Sequence, residues 1–166
     1  QFWFAILALH KIGAVAIPAT NLLLESDFEY RFKAGNVDAI LCTADGPVSR
    51  EVDKACRSYK NLKVKIMVGA SRKGWRSFNK EVKYFSSHFR RPHGENAIHG
   101  DDPSIMFFTS GTTSYPKITT HNFKYPLGHY VTAKYWHQVD PDGIHFAISD
   151  TGWGKALWGK IYGQWL

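Results

Sequence analysis

The hydrophobic and polar positions of this chain follow helical and strand-like patterns in turn. Residues 2–12 are apolar at most positions and stop at Gly13, which is typical of a buried helix closed by glycine. A Ser-x-x-Glu spacing at 26–29 predicts a capping box that opens a helix ending near residue 34. Branched residues at alternate positions over 63–68 predict a strand. Short helices and strands are therefore expected to follow one another in a regular order.

The same patterns predict the remaining elements. Further strands are expected at 14–17, 37–43, 104–108 and 143–149, and further helices at 47–59, at 74–89, within 118–137 and at 156–166. The polar stretch 90–103 is interpreted as a connector that requires no domain boundary. Because parallel strands need crossover connections, this β-α-β-α order predicts an α/β fold with a parallel or mixed sheet covered by helices.

The loop after the predicted strand at 104–108 has the most distinctive chemistry. Its residues are Thr109, Ser110, Gly111, Thr112, Thr113, Ser114, Tyr115, Pro116 and Lys117. Glycine lets a backbone approach an anion closely, hydroxyl and N–H groups donate hydrogen bonds, and the lysine adds a positive charge. This combination predicts a loop that binds the phosphates of a nucleotide. Composition alone leaves an ordinary solvated loop as an alternative.

The order of residues in the loop excludes a Walker A motif, because Pro116 precedes the lysine and Ile118 follows it. It resembles instead the phosphate loop of the adenylate-forming enzymes, a family of acyl-CoA synthetases, luciferases and peptide-synthetase adenylation domains. Their pattern is Thr/Ser-Ser-Gly-Thr/Ser-Thr/Ser-Gly-x-Pro-Lys. Eight of its nine positions are met, counting the free one, and the exception is Ser114 in place of glycine. A serine held at positive φ there would cost on the order of 1 kcal/mol.

Other segments are similar to the medium-chain acyl-CoA synthetases of this family. They lie at 11–20, 27–31, 74–75, 127–129, 133–136 and 149–165, so the resemblance covers nearly the whole chain. It implies a partial N-terminal domain of the adenylate-forming fold. The chain has no initiator methionine and both of its ends fall in apolar segments, so residues 1–166 are expected to be a fragment of one AMP-binding N-terminal domain, with the C-terminal domain absent.

The function implied by the resemblance is that of an ATP-dependent carboxylic acid:CoA ligase that activates a fatty acid through an acyl-adenylate. Its cofactors and partners would be ATP, Mg²⁺ bound with the nucleotide, CoA and a small-molecule carboxylic acid. Residues 109–117 would bind the ATP phosphates. Trp153 and Lys155 would lie near the acyl pocket, although an aromatic-rich segment is also typical of core packing. The family's catalytic lysine lies outside the chain, so the fragment is expected to hold no catalytic residue and to be inactive alone.

Two hypotheses from other functional classes remain open. A non-catalytic nucleotide-binding module would use the same loop without ligase chemistry. The formal charge of +7 allows a basic nucleic-acid-binding domain. However, the densest basic stretches, 54–65 and 72–91, alternate with apolar or acidic residues, as the solvated faces of helices do. The ligase is therefore the main prediction, and no nucleic-acid partner is expected.

The cysteines and histidines do not predict a metal site. Cys42 and Cys56 lack the close spacing of zinc or redox motifs and are interpreted as free thiols. His121, His129 and His137 recur at intervals of eight, which places them along one side of a helix without the tight convergence that metal ligands need. We therefore expect these histidines to be core or surface residues.

The apolar stretch at 2–9 bears on the location of the protein. It is too short to span a bilayer, and no basic region precedes it as in a signal peptide. Neither a transmembrane segment nor an export signal is therefore predicted. The expected location is the cytoplasm, or the mitochondrial matrix if the source is eukaryotic.

Overall fold

The computed structural model describes residues 1–110 and 115–165, which form two compact units. The first unit joins Gln1–Thr20 with the chain from Arg90 onward, and the second is Asn21–Phe89. Each unit has its own hydrophobic core. The second unit has parallel strands and the first has antiparallel strands. The α/β class predicted from the sequence is therefore confirmed.

The second unit is built on a three-stranded parallel sheet. Strand β1 (Ala39–Thr43) pairs with β2 (Val64–Val68), which also pairs with the two-residue β3 (Arg76–Ser77). Helix α3 (Val48–Ala55) supplies the crossover that lets β1 and β2 run parallel. Helix α2 (Glu25–Ala34) packs beside α3. The two strands and the two helices predicted in this stretch are confirmed, with shorter bounds for the strands and α3.

Apolar side chains of α2 and α3 form most of the core of the second unit. Val52 and Ala55 of α3 are fully buried. Phe28 and Phe32 are four residues apart, so they lie on the same face of α2 and pack with ring centroids 5.5 Å apart. Met67 of β2 joins them from the sheet. The helical spacing of these apolar residues thus determines which face of each helix is buried.

Helix α2 begins earlier than the predicted capping box at 26–29 requires. Its N-cap is Leu24, whose backbone N–H donates a hydrogen bond of 3.0 Å to Asp27 Oδ2. Glu29, which was expected to complete the box, accepts a hydrogen bond from the Ser58 hydroxyl instead. The predicted box was therefore wrong, because Asp27 caps a helix that starts two residues upstream.

The helix predicted over 74–89 was also wrong for most of its length. Helix α4 spans Phe78–Glu81, and a 3₁₀ turn spans Val82–Tyr84. Before α4 the chain is extended in β3, where the Glu81 carboxylate accepts hydrogen bonds from the Ser77 backbone N–H at 3.2 Å and from the Arg76 guanidinium. These bonds and the pairing with β2 favour an extended chain at the start of the predicted helix.

The first unit is built on an antiparallel hairpin of β4 (Pro103–Thr109) and β5 (Lys117–Asn122). Its helices are α1 (Phe2–Lys11), a 3₁₀ turn (Gly94–Asn96), α5 (Tyr125–Val131) with a following π-helical turn (Thr132–Trp136), α6 (Gly154–Ala156), a second π-helical turn (Leu157–Ile161) and α7 (Tyr162–Gln164). We refer to residues 154–164 as the C-terminal helical segment. The predicted helices at 2–12 and 156–166 are confirmed over the described residues.

Strand β4 lies at the centre of the core of the first unit. Ile105 is fully buried in a cluster that includes Ile6 of α1 and Leu157 of the C-terminal helical segment. Ala16 lies beside β4 in a single parallel bridge, with its N–H donating to the Ser104 carbonyl at 3.0 Å. The strand predicted at 14–17 is therefore reduced to one bridge.

One further helix prediction in the first unit is confirmed in part, and one strand prediction was wrong. The helix predicted within 118–137 forms, but it begins only at Tyr125, because the preceding residues form β5 and pair with β4. Thr119 and Thr120 are β-branched and favour this strand. The strand predicted at 143–149 has no strand partner among the described residues, and its apolar side chains at Ile144, Phe146 and Ile148 are exposed.

Candidate functional site

The candidate phosphate-binding loop connects the two strands of the hairpin. Thr109 and Lys117 are paired residues at the ends of β4 and β5, and Thr109 Oγ1 donates a hydrogen bond of 3.4 Å to the Lys117 carbonyl. The loop residues Gly111, Thr112, Thr113 and Ser114 lie outside the described residues. The structure therefore determines where the loop starts and ends. The strand–loop–helix context expected from the sequence is replaced by strand–loop–strand.

The described residues at both ends of the loop are exposed to solvent, and strand β4 next to them is buried. Thr109, Ser110, Tyr115 and Lys117 are all exposed. Within the part of the chain that the structure describes, the Lys117 ammonium forms no ion pair. Strand β4 below them is anchored in the core of the first unit. The described hydroxyl groups and the Lys117 ammonium are therefore exposed at the end of a buried strand.

A second turn, formed by residues 150–153, packs closely against Ala19 and Thr20. Asp150 Oδ1 accepts a hydrogen bond from the Gly152 N–H at 2.7 Å, and its Oδ2 accepts one from the Thr20 hydroxyl at 3.3 Å. A Cβ added at Gly152 would lie 2.2 Å from the Thr20 nitrogen and 2.6 Å from the Ala19 carbonyl carbon. Only glycine allows the two backbones to approach so closely.

Trp153 and Lys155 are the residues that the resemblance places near an acyl pocket. Trp153 is the N-cap of α6, and both side chains are exposed. A Cβ added at Gly154 would lie 3.7 Å from the Phe107 ring, so this turn lies beside β4. The structure therefore brings the two candidate pocket residues beside the strand that leads into the loop.

The sequence analysis missed the roles of Thr20 and Asp150 in this arrangement. Their side chains meet although they are 130 positions apart in the chain. The Asp-Thr-Gly order at 150–152 is a local turn signal, but it does not show which distant segment the turn will meet. Another missed contact is the 2.5 Å hydrogen bond between His10 Nε2 and the Tyr162 hydroxyl.

The pKa values of the two cysteines and of Asp53 are shifted by burial and by neighbouring charged groups. Burial raises the pKa of Cys42 to about 11 and also raises the pKa of Cys56, so both thiols are protonated at neutral pH. Burial alone would raise the pKa of Asp53, but hydrogen bonds from Lys65, Arg72 and Trp75 outweigh it and lower the pKa. Within 1–110 and 115–165, no group of three or more histidine, cysteine or acidic residues could hold a metal ion.

The basic stretches contain several ion pairs. Lys65 Nζ lies 2.7 Å from Asp53 Oδ1, and Lys54 Nζ lies 2.7 Å from Glu51 Oε1. Lys63 pairs with Asp38 at the same distance. Cations of the 54–65 stretch thus lie beside carboxylates, as the sequence pattern indicates for solvated surfaces.

Comparison with known proteins identifies relatives along the whole chain. A family model described as AMP-binding enzyme matches residues 1–162. Acyl-coenzyme A synthetase ACSM3, mitochondrial, from Homo sapiens is 31% identical over 100% of this chain and 28% of that protein. Acyl-coenzyme A synthetase ACSM5, mitochondrial, from Homo sapiens is 31% identical over 99% of this chain and 28% of that protein. The chain thus spans about 28% of the length of these curated relatives.

Solved structures share the fold. The acyl-CoA synthetase of Brucella canis superposes with a TM-score of 0.79 at 20% identity, covering 95% of this chain and 28% of that chain. Acetoacetyl-CoA synthetase from Streptomyces lividans gives a TM-score of 0.74 at 17% identity, covering 96% and 26%. Among the described residues, no helix has both the length and the apolar character needed to cross a membrane.

Proposed function

The chain belongs to the AMP-binding enzyme family, and from this membership we propose that it is part of an ATP-dependent carboxylic acid:CoA ligase. The observation that carries the proposal is the match to acyl-coenzyme A synthetases along the full chain, including the Thr109–Lys117 loop. We further propose that residues 1–166 form part of one N-terminal domain of this enzyme and that its C-terminal domain lies outside them. The relatives' greater length supports this division.

In the proposed reaction, a carboxylate oxygen of the acid attacks the α-phosphorus of ATP, and the bond from that phosphorus to pyrophosphate breaks. The CoA sulfur then attacks the acyl carbon of the adenylate, AMP leaves, and the thiol proton passes to solvent. The first step develops negative charge on the departing pyrophosphate. A positioned cation and hydrogen-bond donors can stabilise this charge.

The loop is the part of this chain that we assign to that step. Residues 109–113 would donate hydrogen bonds to the β- and γ-phosphates, and Lys117 would place its ammonium near the departing pyrophosphate. The support comes from the geometry of the hairpin, which presents Thr109 and Lys117 side by side above a buried strand. The hydroxyl groups and the exposed ammonium have the chemistry that phosphate oxygens need.

Mg²⁺ would enter this site bound to the nucleotide. The described residues provide no cluster of acidic or histidine ligands that could hold a metal ion. In this part of the site the phosphate oxygens of ATP would therefore be the main ligands of Mg²⁺. When bound, the ion would neutralise phosphate charge. The chain's own part in the proposal is to orient the triphosphate tail and supply the Lys117 cation.

The acid itself would lie toward the Asp150–Trp153 turn. Trp153 would form an aromatic wall that limits the length of the acyl chain, and Lys155 would face the same space. The support for this assignment is the close approach of the turn to Thr20 and its position beside β4, which would give such a wall a fixed place. A medium-chain acid is the substrate class that we propose, because segments 127–129, 133–136 and 149–165 are similar to medium-chain acyl-CoA synthetases.

The experiment that tests the proposal measures pyrophosphate release from ATP across a panel of carboxylic acids, using the intact protein that carries this chain. We expect release that depends on the acid, with a maximum at medium chain lengths. The isolated 1–166 polypeptide serves as the control and should show no acid-dependent release, because the family's catalytic lysine and the C-terminal domain lie outside it in our assignment. ATP binding without release by the intact protein would instead support a non-catalytic nucleotide-binding module.

A further inference from the structure

A column of stacked rings connects β5, α5 and the C-terminal helical segment. His121 of β5 stacks on Tyr125 with ring centroids 3.9 Å apart, and Tyr125 meets His129 edge-on at 4.5 Å. His129 stacks on Trp158 of the C-terminal helical segment at 5.9 Å, with an angle of 11° between the ring planes. The imidazole of His129 therefore lies between α5 and the C-terminal helical segment.

The column continues beyond Trp158. His137 packs against Trp158 at 5.3 Å, and His145 meets His137 edge-on at 5.8 Å. We call these rings the imidazole column, and its members are His121, Tyr125, His129, Trp158, His137 and His145. His121, His129 and His137, which are eight residues apart in the sequence, thus belong to one contiguous set of ring contacts.

Two imidazole nitrogens in the column are buried without a hydrogen-bond partner among the described residues. They are Nδ1 of His129 and Nε2 of His137. A neutral imidazole tolerates this position, because one of its nitrogens carries no proton and the ring can stack as an apolar surface. An imidazolium carries a proton on both nitrogens and needs an acceptor or an anion for each.

The groups that face these two histidines are aromatic or basic. Around His129 they are His121, Tyr125 and His137, with Trp158 and Tyr162 from the C-terminal helical segment. Around His137 they are His129, Trp158, His145 and Lys155. Among the described residues, no carboxylate contributes to the titration of either imidazole. A proton added to either ring would therefore meet only neutral or positive neighbours.

We propose that the imidazole column is a pH-responsive latch, which holds the C-terminal helical segment on α5 while His129 and His137 are neutral and releases it when they are protonated. The ring contacts that form the latch do not depend on ligase activity, although the released segment carries Lys155 of the proposed acyl pocket. His10 belongs to the same device at its far end, because it bonds to Tyr162 and its Nδ1 is also buried without a partner among the described residues.

The direction of the effect follows from the pKa shifts. Burial lowers the pKa of His129 and of His137, and neighbouring imidazoles, with Lys155 beside His137, lower them further. Each group thus binds its proton more weakly in the docked state than in the released state. Docking is at full strength above the ordinary histidine pKa of about 6.5 and weakens as the pH falls below it.

The test is hydrogen exchange of the intact protein at pH 7.5 and pH 5.0, corrected for the intrinsic exchange rate. We expect residues 154–164 to lose protection at pH 5.0, while α3 in the second unit keeps its protection. The double variant His129→Phe and His137→Phe keeps aromatic rings at both positions without their titrating nitrogens, so its loss of protection in 154–164 at pH 5.0 should be smaller than that of the unmodified protein. His88→Phe, at an exposed histidine outside the column, should behave like the unmodified protein.

Two results would overturn the latch. One is equal protection of 154–164 at both pH values in the unmodified protein. The other is an equal loss of protection in the double phenylalanine variant, which would mean that other groups drive the change. If the double variant does not fold, NMR titration of the histidine rings in the unmodified protein decides the question, since the latch requires His129 and His137 to titrate together with the loss of protection.

Discussion

Replacing Lys117 by alanine is expected to reduce acid-dependent pyrophosphate release of the intact protein by about 10²–10³-fold, the effect typical of removing one group that stabilises developing charge. Lys117 ends the loop where β5 begins, directly across the hairpin from Thr109. Its exposed ammonium forms no ion pair within the described part of the chain, so it is available to an anionic ligand. The loss should appear mainly in kcat, because the charge on pyrophosphate develops during the step.

The matched control for this variant is Lys124→Ala. Lys124 is an exposed lysine just after the same hairpin, and its ammonium lies 2.7 Å from Asp101 Oδ1. A surface ion pair of this kind contributes about 1 kcal/mol or less to stability, so its loss should leave pyrophosphate release unchanged. Equal rates for Lys117→Ala and the unmodified enzyme would show that Lys117 takes no part in the reaction.

Gly152→Ala is expected to lower the free energy of unfolding by about 1–3 kcal/mol, the usual cost of forcing an extra methyl group into a packed site. The added Cβ would lie 2.2 Å from the Thr20 nitrogen and 2.6 Å from the Ala19 carbonyl carbon. Both atoms belong to backbone and cannot rotate away, so the Asp150–Trp153 turn must shift. The φ of Gly152 lies outside the left-handed region, so crowding and not backbone strain causes the loss.

Gly128→Ala in α5 is the matched control for the effect of a methyl group alone. A Cβ at Gly128 would meet nothing within 4 Å, and alanine favours a helix over glycine by about 1 kcal/mol. This variant should therefore be as stable as the unmodified protein or more stable. Urea unfolding measures both variants. A Gly152→Ala protein as stable as Gly128→Ala would mean that the turn is not held against Thr20.

The sequence predicted the parts of the fold that depend on local pattern. The apolar residues of α3 recur at helical spacing and the branched residues of β2 alternate as in a strand. Both elements form where these patterns predict them. The errors occur where a distant contact decides the conformation. Residues 118–122 form a strand because β4 offers backbone partners, and the alternating pattern at 143–149 has no strand partner among the described residues.

The candidate site shows the same division. The order of residues from Thr109 to Lys117 is a local feature, and that order by itself indicates phosphate binding. The close approach of Gly152 to Thr20 depends on how the chain folds back after more than a hundred residues, and no local pattern contains it. The ring contacts of His129 and His137 with Trp158 likewise arise from the packing of separate helical segments.

The most direct test of the central claim, that residues 109–117 bind the phosphates of ATP, is hydrogen exchange of the intact protein with and without saturating Mg-ATP. Ordered hydrogen bonds to phosphate oxygens should slow the exchange of the loop amides. We expect this protection to be strongest in the peptide containing 109–117 and to be lost in Lys117→Ala. Protection by Mg-ATP that leaves this peptide unchanged would show that the loop does not bind the phosphates.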